Sequence, residues 1–396
     1  IYHHFLNENT LTFCLPDTTP KMYVMNGTAS EMEKRDAELA VSGAIQEVRK
    51  RWVGLPTTTL QVNEATNWLA KISPQIDFDA FHEKPAAMSY VWFKNGVVDF
   101  AVEGGKFLPL ASLSREDIQK IYPPPFIIPH NYDPTWKPNP ESKLEKFIEQ
   151  VIPDVDKRSQ LLQAVAASLI PSLKTRTAFM VGTGANGKSI MLEILRKFYG
   201  ENNVSSTSFT DLSANKFSSF ELVGKCANLV SEDPSDKVAN TSTFRLLATQ
   251  ETLQVEQKFK NRFQFRPYVK NFFAMNVLPT VEDITDAFLR RIVIIPFPFQ
   301  FVSEGWDGKT TFQADPKLLE SFTEEEYEYL GGMLIEILRF IAYNPPVSPS
   351  QAEMEKIYEE YSMYSNTALM FVTTALEGQD EMAGERIQQS DLYEYY

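Results

Sequence analysis

Cysteine is almost missing from this chain: of 396 residues two are cysteine, Cys14 and Cys226, and four are histidine. The two thiols lie far apart with no ligand-spaced histidines beside them, which excludes a disulfide framework and a structural zinc site. An intracellular setting fits that usage. Long hydrophobic runs are missing too. No apolar stretch approaches the length that spans a bilayer and nothing at the start resembles a signal peptide, so a soluble, cytoplasmic protein without a membrane partner is expected. Positive charge is in deficit: 38 Lys and Arg against 52 Asp and Glu leave a net charge of −14. A surface that clings to nucleic acid as a whole is thereby excluded, since such binding is driven by neutralising phosphates. Internal repeats and low-complexity tracts are absent as well.

The length allows a large core and two or three domains. The chain begins at Ile1 rather than at a methionine, and residues 390–396 read as an N-cap and the first turn of a helix cut short. A fragment of a longer polypeptide is therefore expected.

What is present is concentrated at residues 182–189, Gly-Thr-Gly-Ala-Asn-Gly-Lys-Ser, a complete phosphate-binding loop. A short apolar run, 178–181, precedes it, and an apolar-periodic stretch, 190–199, follows and is closed by Gly200. Gly182, Gly184 and Gly187 let the backbone around Ala185 and Asn186 wrap closely, so that its N–H groups point at phosphates, aided by the positive end of the next helix. Lys188 would reach the β- and γ-phosphates, and the Ser189 hydroxyl would bind Mg²⁺. ATP and Mg²⁺ are the cofactors this implies.

Around the loop, several segments carry secondary-structure signals. Residues 30–52 read as an amphipathic helix opened by the capping box Ser30-x-x-Glu33, and 57–72 as a second helix behind Pro56. Val91-Trp92-Phe93, Asn95-Gly96 and then 97–102 read as a hairpin, because Asn-Gly suits a two-residue primed turn. Gly104-Gly105 turns the chain again towards Phe107. Seven prolines from Pro123 to Pro140 mark an extended connector, followed by helices at 143–152 and 157–169. From about 171 to 300 strand and helix signals alternate, as in an α/β nucleotide-binding sheet, with strands at 178–181, 226–231, 269–275 and 292–296. Thr323-x-x-Glu326 opens a long helix ending near Tyr343, and helices resume from about Gln351.

Four features beside the loop bear on chemistry. The stretch 227–231 leads into Glu232-Asp233, paired carboxylates at a strand end that could hold Mg²⁺ and a water, or form a surface acidic pair. The strand from Val269 ends at Asn276, whose amide could orient an attacking water, or could form the turn ahead of Leu278-Pro279. Arg290-Arg291 precedes the apolar run 292–296; either arginine could stabilise transition-state charge, or make a surface ion pair. Residues 252–268 alternate polar and apolar positions like a hairpin with Lys258 and Lys260 at its turn, placed to contact a nucleic-acid backbone. Phe259, Phe263 and Phe265 either pack on its inner face or stack on bases. The local balance reverses here, with Lys258, Lys260, Arg262, Arg266 and Lys270 against Glu251 and Glu256.

In order and compact spacing, 182–291 resembles the superfamily 3 helicases, and more narrowly the helicase part of phage, plasmid and poxvirus-type primase-helicases. The match is carried by the Gly-Ala-Asn-Gly-Lys-Ser loop, Val230-Ser231-Glu232, Val255-Glu256-Gln257-Lys258-Phe259-Lys260, Ala274-Met275-Asn276-Val277-Leu278-Pro279, and Phe288-Leu289-Arg290-Arg291 running into Ile294-Ile295-Pro296-Phe297. Weaker matches are Lys94 to Asp99 and Asn131-Tyr132-Asp133-Pro134, which look like the family's preceding helical and small-sheet domain. The resemblance implies an α/β fold with an AAA+-type core sheet over 141–305. A helical and small-sheet domain with its proline-rich connector would occupy 1–140. A helical region, 306–396, would lead towards a winged helix.

It also implies a homo-oligomeric ring, usually a hexamer, that binds ATP between subunits and travels three-prime to five-prime along single-stranded or forked DNA. A primase or polymerase domain would lie upstream in the parent chain, in the cytoplasm of a host cell. Carried over, Lys188 and Ser189 bind phosphates and Mg²⁺, Glu232 and Asp233 form the acidic pair, and Asn276 is the sensor. Arg291, or its neighbour Arg290, is the finger reaching the next subunit's ATP, and Lys258 and Lys260 fall on the channel hairpin. The acidic pair is Glu-Asp rather than Asp-Glu, and 248–251 lacks the glycines common before the hairpin. A ring reconciles an acidic chain with DNA, since a few lysines per subunit sum to a focused positive lining. A competing function is an ATP-dependent initiator or scaffold that assembles on DNA without processive unwinding. A nucleoside or nucleotide kinase is a third, for which the basic hairpin would have no use.

Overall fold

The computed structural model describes residues 89–109, 112–113, 126–214, 218–231, 242–256, 263–281, 284–344 and 349–366, with the backbone of 21–25 and 32–36. Strand β1, Lys21–Met25, pairs antiparallel with β2, Met32–Asp36, from Lys21 opposite Asp36 to Met25 opposite Met32. This corrects the helix expected to open at Ser30. A capping signal contributes only ~1 kcal/mol, and pairing with the Tyr23-Val24 strand overrides so local a preference. The rest of that helix, 37–52, and the helix expected at 57–72 lie outside the described residues.

Strands β3, Tyr90–Phe93, and β4, Gly96–Asp99, form the expected hairpin, but Phe93 pairs with Gly96, so its turn is Lys94-Asn95. Neither turn residue has a positive φ, which rules out the primed turn read from Asn95-Gly96. The Asn95 amide is instead committed to the connector: Nδ2 donates to Tyr132 O at 3.0 Å and Oδ1 accepts from Tyr132 N at 2.9 Å. Gly96 is needed for a close approach, because a Cβ there would lie 2.4 Å from the Phe107 ring on β5, Lys106–Pro109. The turn before β5 uses Gly104 and Gly105, both at positive φ.

After the connector come α1, Lys143–Val151, and α2, Val155–Ala167, capped by Ser142 and Asp154. The central sheet then opens with β6, Thr177–Val181, followed by α3, Lys188–Tyr199, β7, Val204–Ser205, α4, Phe209–Ala214, and β8, Ala227–Val230. Helix α5, Ser242–Thr249, leads to a small hairpin of β9, Leu253–Val255, and β10, Phe263–Phe265; then come β11, Lys270–Met275, α6, Asp286–Leu289, and β12, Ile292–Pro296. Five of these strands form one all-parallel sheet in the order β12-β6-β11-β8-β7. Their near-continuous apolar character follows from this, since a parallel sheet is covered on both faces. β11, which delivers Asn276, lies between β6 and β8, as the resemblance implied.

Beyond the sheet, β13, Gln300–Val302, pairs in parallel with β14, Thr311–Gln313. Helix α7, Glu324–Ile341, starts at Thr323 without a side-chain cap, so the expected box with Glu326 does not form. Glu326 instead caps α1, accepting from Ser142 Oγ at 2.6 Å and from the Lys143 N–H at 2.9 Å. Charge-assisted bonds to another helix's unsatisfied N–H groups outweigh a local cap. Gly332 lets α7 receive Trp136, whose ring would sit 2.1 Å from a Cβ. Helix α8, Gln351–Tyr364, opens with a complete capping box of Ser350 and Glu353. Its end straps the segment after Asn276: Tyr361 Oη donates to Pro279 O at 2.5 Å, and Leu278 N to Tyr364 O at 2.8 Å. One continuous apolar core runs from Val91 to Tyr361. Among the described residues no helix is long and apolar enough to cross a membrane.

Within that core sits a lysine. Lys270, at the amino end of β11, is buried, and its Nζ donates to Tyr268 O at 2.8 Å. Burial pushes its pKa down to about 7, against a smaller upward pull from Cys226. The unfolded side chain titrates near ~10.4, so between those values the unfolded chain binds the extra proton and stability rises with pH. The cost of a buried ammonium is thus fully present below about pH 7 and gone above about pH 10.4. Lys270→Met is expected to stabilise the fold by about 1–3 kcal/mol near pH 6 and to lose the gain near pH 10. Thermal melts of both proteins at the two pH values check this; a gain independent of pH would show that charge burial is not its source.

Candidate nucleotide site

Strand β6 is buried along its whole length and ends at Val181, so the chain emerges at the carboxyl edge of the sheet directly into the 182–189 loop. Gly182 admits no side chain: a Cβ would stand 1.9 Å from Asn186 Nδ2 and 2.7 Å from Phe297 O. Asn186 Nδ2 donates to that same carbonyl at 3.2 Å, tying the loop to the residue after β12. Gly184, Ala185 and Gly187 all have positive φ, at 110°, 51° and 86°. Left-handed residues among right-handed ones turn successive N–H groups to one side, a concavity suited to anions. Ala185 holds this conformation at a cost of about 1 kcal/mol, and Phe301 N donating to Ala185 O at 2.7 Å fixes it. Gly187 begins α3 without a side-chain cap, and residues 187–190 line a cavity of about 310 Å³. The positive end of a twelve-residue helix therefore borders that cavity.

Lys188 is buried to 6 % exposure. Its Nζ donates to Gly182 O at 2.6 Å, to Asn186 Oδ1 at 2.7 Å and to Asn276 Oδ1 at 3.3 Å. Loop and neighbouring strand end thus converge on one ammonium group. Asn276 is exposed and follows β11, the strand beside β6. Ser189 is exposed in the first turn of α3 and lines the same cavity. Gly182, Gly184, Ala185, Asn186, Gly187, Lys188, Ser189 and Asn276 are therefore assembled in one place.

Strand β8 ends at Val230, two positions from β6 in the sheet, so its carboxyl end stands roughly 10 Å from the loop strand. Glu232 and Asp233, which follow it, lie outside the described residues. Ser189 is a hard oxygen donor of the kind Mg²⁺ takes together with one or two carboxylates and substrate phosphates. Among the described residues no group of three or more His, Cys, Asp or Glu could hold a metal by itself.

The two arginines are not near this cavity in the same chain. Thr177 N donates to Arg291 O at 2.8 Å, and Ile292 pairs with Thr177 while Pro296 pairs with Val181. Arg290 and Arg291 therefore sit at the amino end of the sheet, roughly 15 Å along the strands from the loop. Arg291 Nη1 donates to Ala287 O, and its Nε is buried without a partner among the described residues. Desolvation, then Arg290 and Arg245, lower the Arg291 pKa, against Glu251. Arg290 is exposed, and nothing among the described residues pairs with its side chain.

The hairpin stem forms as expected, Val255 opposite Phe263 and Leu253 opposite Phe265. Phe265 is fully buried, its ring edge-on to Tyr268 at 6.1 Å, so it packs inward. Lys258, Lys260 and Phe259 lie outside the described residues. Before the stem, Gln250 takes the place of a glycine: its φ is 56°, and its Nε2 donates to Pro171 O at 3.0 Å and Leu173 O at 3.2 Å. Those bonds offset the strain of a left-handed residue that carries a side chain.

Sequence reading missed the other half of the cavity, formed by Phe147 of α1, Phe301 of β13, and Ala314, Asp315 and Leu318. No contiguous motif signals these residues. The one visible trace is the phenylalanine repeat at 297, 299 and 301.

Residues 180–291, the span that holds the phosphate loop, Asn276 and both arginines, match a family model described as a family of unknown function, DUF5906. The chain is 28% identical over 220 residues to "Putative helicase 022R" of Frog virus 3 (isolate Goorha), covering 52% of this chain and 22% of that protein. It is 26% identical over 169 residues to "Putative helicase L207/L206" of Acanthamoeba polyphaga mimivirus, covering 39% of this chain and 17% of the relative. Among solved structures, an A-form apo structure of the NrS-1 C-terminal region superposes with a TM-score of 0.47 at 14% identity, over 97% of this chain and 81% of that one. A second apo structure of the region gives 0.40 at 13% identity over the same shares. The chain is thus a distant relative of viral proteins named as helicases, and it spans about a fifth of their length.

Proposed function

We propose that this chain is the ATP-driven motor of a superfamily 3 replicative DNA helicase with an AAA+-type core at 141–305, part of a longer phage, plasmid or viral primase- or polymerase-helicase acting in a host cytoplasm. It works as a homo-oligomeric ring, a hexamer, moving three-prime to five-prime on single-stranded DNA. The observation that carries the reading is the split of the site: Lys188 and Asn276 meet at one pole of the sheet, and Arg290 and Arg291 lie at the other. Among the described residues no arginine lines the cavity beside the loop, and a head-to-tail ring supplies one from the neighbour.

In this scheme the loop N–H groups and Lys188 hold the phosphates, and Asn276 orients the attacking water. Ser189, with Glu232 and Asp233, would hold Mg²⁺, which would neutralise charge developing on the phosphoryl oxygens. Lys258 and Lys260 grip the DNA backbone, and β11 connects their hairpin to Asn276. The test is Lys258→Ala combined with Lys260→Ala. Stimulation of ATP hydrolysis by single-stranded DNA, and unwinding of a fork, are expected to vanish while ATP binding stays within about twofold of wild type. Unwinding at the normal rate by the double variant would remove the hairpin from the DNA path.

A further inference from the structure

The cavity beside the 182–189 loop is lined by two chemically distinct sets of residues. Lys188, Ser189 and Asn276 bring polar groups to it, and Phe147, Ile190, Phe301, Ala314 and Leu318 bring apolar ones, with Asp315 as the carboxylate among the lining residues. Both aromatic walls are fixed from behind: the Phe147 ring packs on Phe322 at 6.1 Å and the Phe301 ring on Phe312 at 6.1 Å. The Phe301 backbone is tied to the loop through Ala185 O at 2.7 Å, and the Phe147 ring lies beside Gly187, so both aromatic side chains stand at a set place relative to the loop. Asp315 is held too, Oδ1 accepting from Lys317 N at 2.9 Å, which leaves Oδ2 for another donor.

Resting on the nucleotide reading above, we infer that the nucleobase lies in the slot between Phe147 and Phe301, capped by Leu318, and that the Asp315 carboxylate selects an amino-bearing purine. The slot supplies apolar and aromatic surface, which holds a flat base without regard to its identity. Identity must come from a polar group, and a carboxylate only accepts hydrogen bonds. Adenine offers its 6-amino group, and guanine its ring N–H and 2-amino group. Purine without an exocyclic amino group offers no donor on that edge. Uracil offers one N3–H flanked by two carbonyl oxygens that oppose the carboxylate, cytosine offers an amino group, and both rings fill less of the slot. ATP and GTP are therefore the accepted class.

The experiment is competition against a ribose-labelled fluorescent ATP on the whole chain, with ATP, GTP, purine riboside triphosphate, UTP and inorganic tripolyphosphate. In the wild type, purine riboside triphosphate and UTP are expected to bind about fivefold more weakly than ATP and GTP. In Asp315→Ala, an exposed site whose replacement leaves the core untouched, ATP and purine riboside triphosphate become equal. Phe301→Leu, which keeps the apolar volume, weakens every nucleotide by about the same several-fold factor and leaves tripolyphosphate unchanged. Equal binding of ATP and purine riboside triphosphate to the wild type, or an undiminished gap in Asp315→Ala, overturns the role of Asp315. If tripolyphosphate competes as well as every nucleotide, the base slot is wrong while the phosphate site stands. If nothing competes, tripolyphosphate included, the nucleotide reading itself falls and takes this inference with it.

Discussion

Lys188→Ala is expected to lower the turnover of ATP by about a thousandfold or more. Three oxygens, from Gly182, Asn186 and Asn276, surround its Nζ, so the ammonium is held in one place between the loop and the neighbouring strand end. A preorganised charge of this kind costs no reorganisation as negative charge builds on the transferring phosphoryl group, and in a desolvated pocket it acts at full strength. Alanine removes the charge and leaves Asn186 Oδ1 and Gly182 O facing the incoming phosphates. Binding should therefore weaken along with turnover. Lys188→Arg is expected to rescue little, because a planar fork cannot converge on three oxygens the way a compact ammonium does. The measurement is steady-state ATP hydrolysis, with circular dichroism and a thermal melt to show that α3 and the sheet persist. Hydrolysis within tenfold of wild type in the alanine variant would move the catalytic site away from this loop.

What could be read in the sequence divides by whether the signal is local. The 182–189 loop was legible because its glycines, lysine and serine are contiguous, and the glycines have backbone reasons, as the clash at Gly182 and the positive φ of Gly184 and Gly187 show. The parallel strands were legible as short apolar runs. The place of β11 between β6 and β8 came only from resemblance, since periodicity says nothing about neighbours across a sheet. Local signals failed where a distant partner made a better offer. Ser30-x-x-Glu33 gave way to pairing between β1 and β2, Asn95 turned from its hairpin to Tyr132, and Glu326 left Thr323 for the bare end of α1. The apolar wall of the cavity was invisible for the same reason. Phe147, Phe301, Asp315 and Leu318 come from both sides of the loop, up to some 130 residues apart from it in sequence, and meet at the cavity where Phe301 N bonds to Ala185 O.

Arg290→Ala is expected to cut ATP turnover by about a thousandfold while leaving nucleotide affinity nearly unchanged, the pattern of a group that meets the substrate only as charge develops. The sequence left Arg290 and Arg291 as alternatives, with Arg291 in the slot the resemblance favours. Geometry separates their effects: Arg291 is half-buried and fastened to Ala287 O, so Arg291→Ala should lower the thermal midpoint as well as the rate. Exposed Arg290 is free to reach outward. Neither can serve its own loop from the far end of β12, which makes complementation the decisive measurement. Arg290→Ala and Lys188→Ala subunits are each expected to be nearly inactive alone. Mixed in equal parts and allowed to reassemble, about a quarter of interfaces join an intact Lys188 to an intact Arg290. Hydrolysis should then return to about a quarter of the wild-type rate, provided the interfaces fire independently, and to less if they must act in sequence around the ring. A mixture that forms joint oligomers yet stays as inactive as its parts would mean that no guanidinium crosses between subunits, and the motor would have to find its transition-state charge elsewhere.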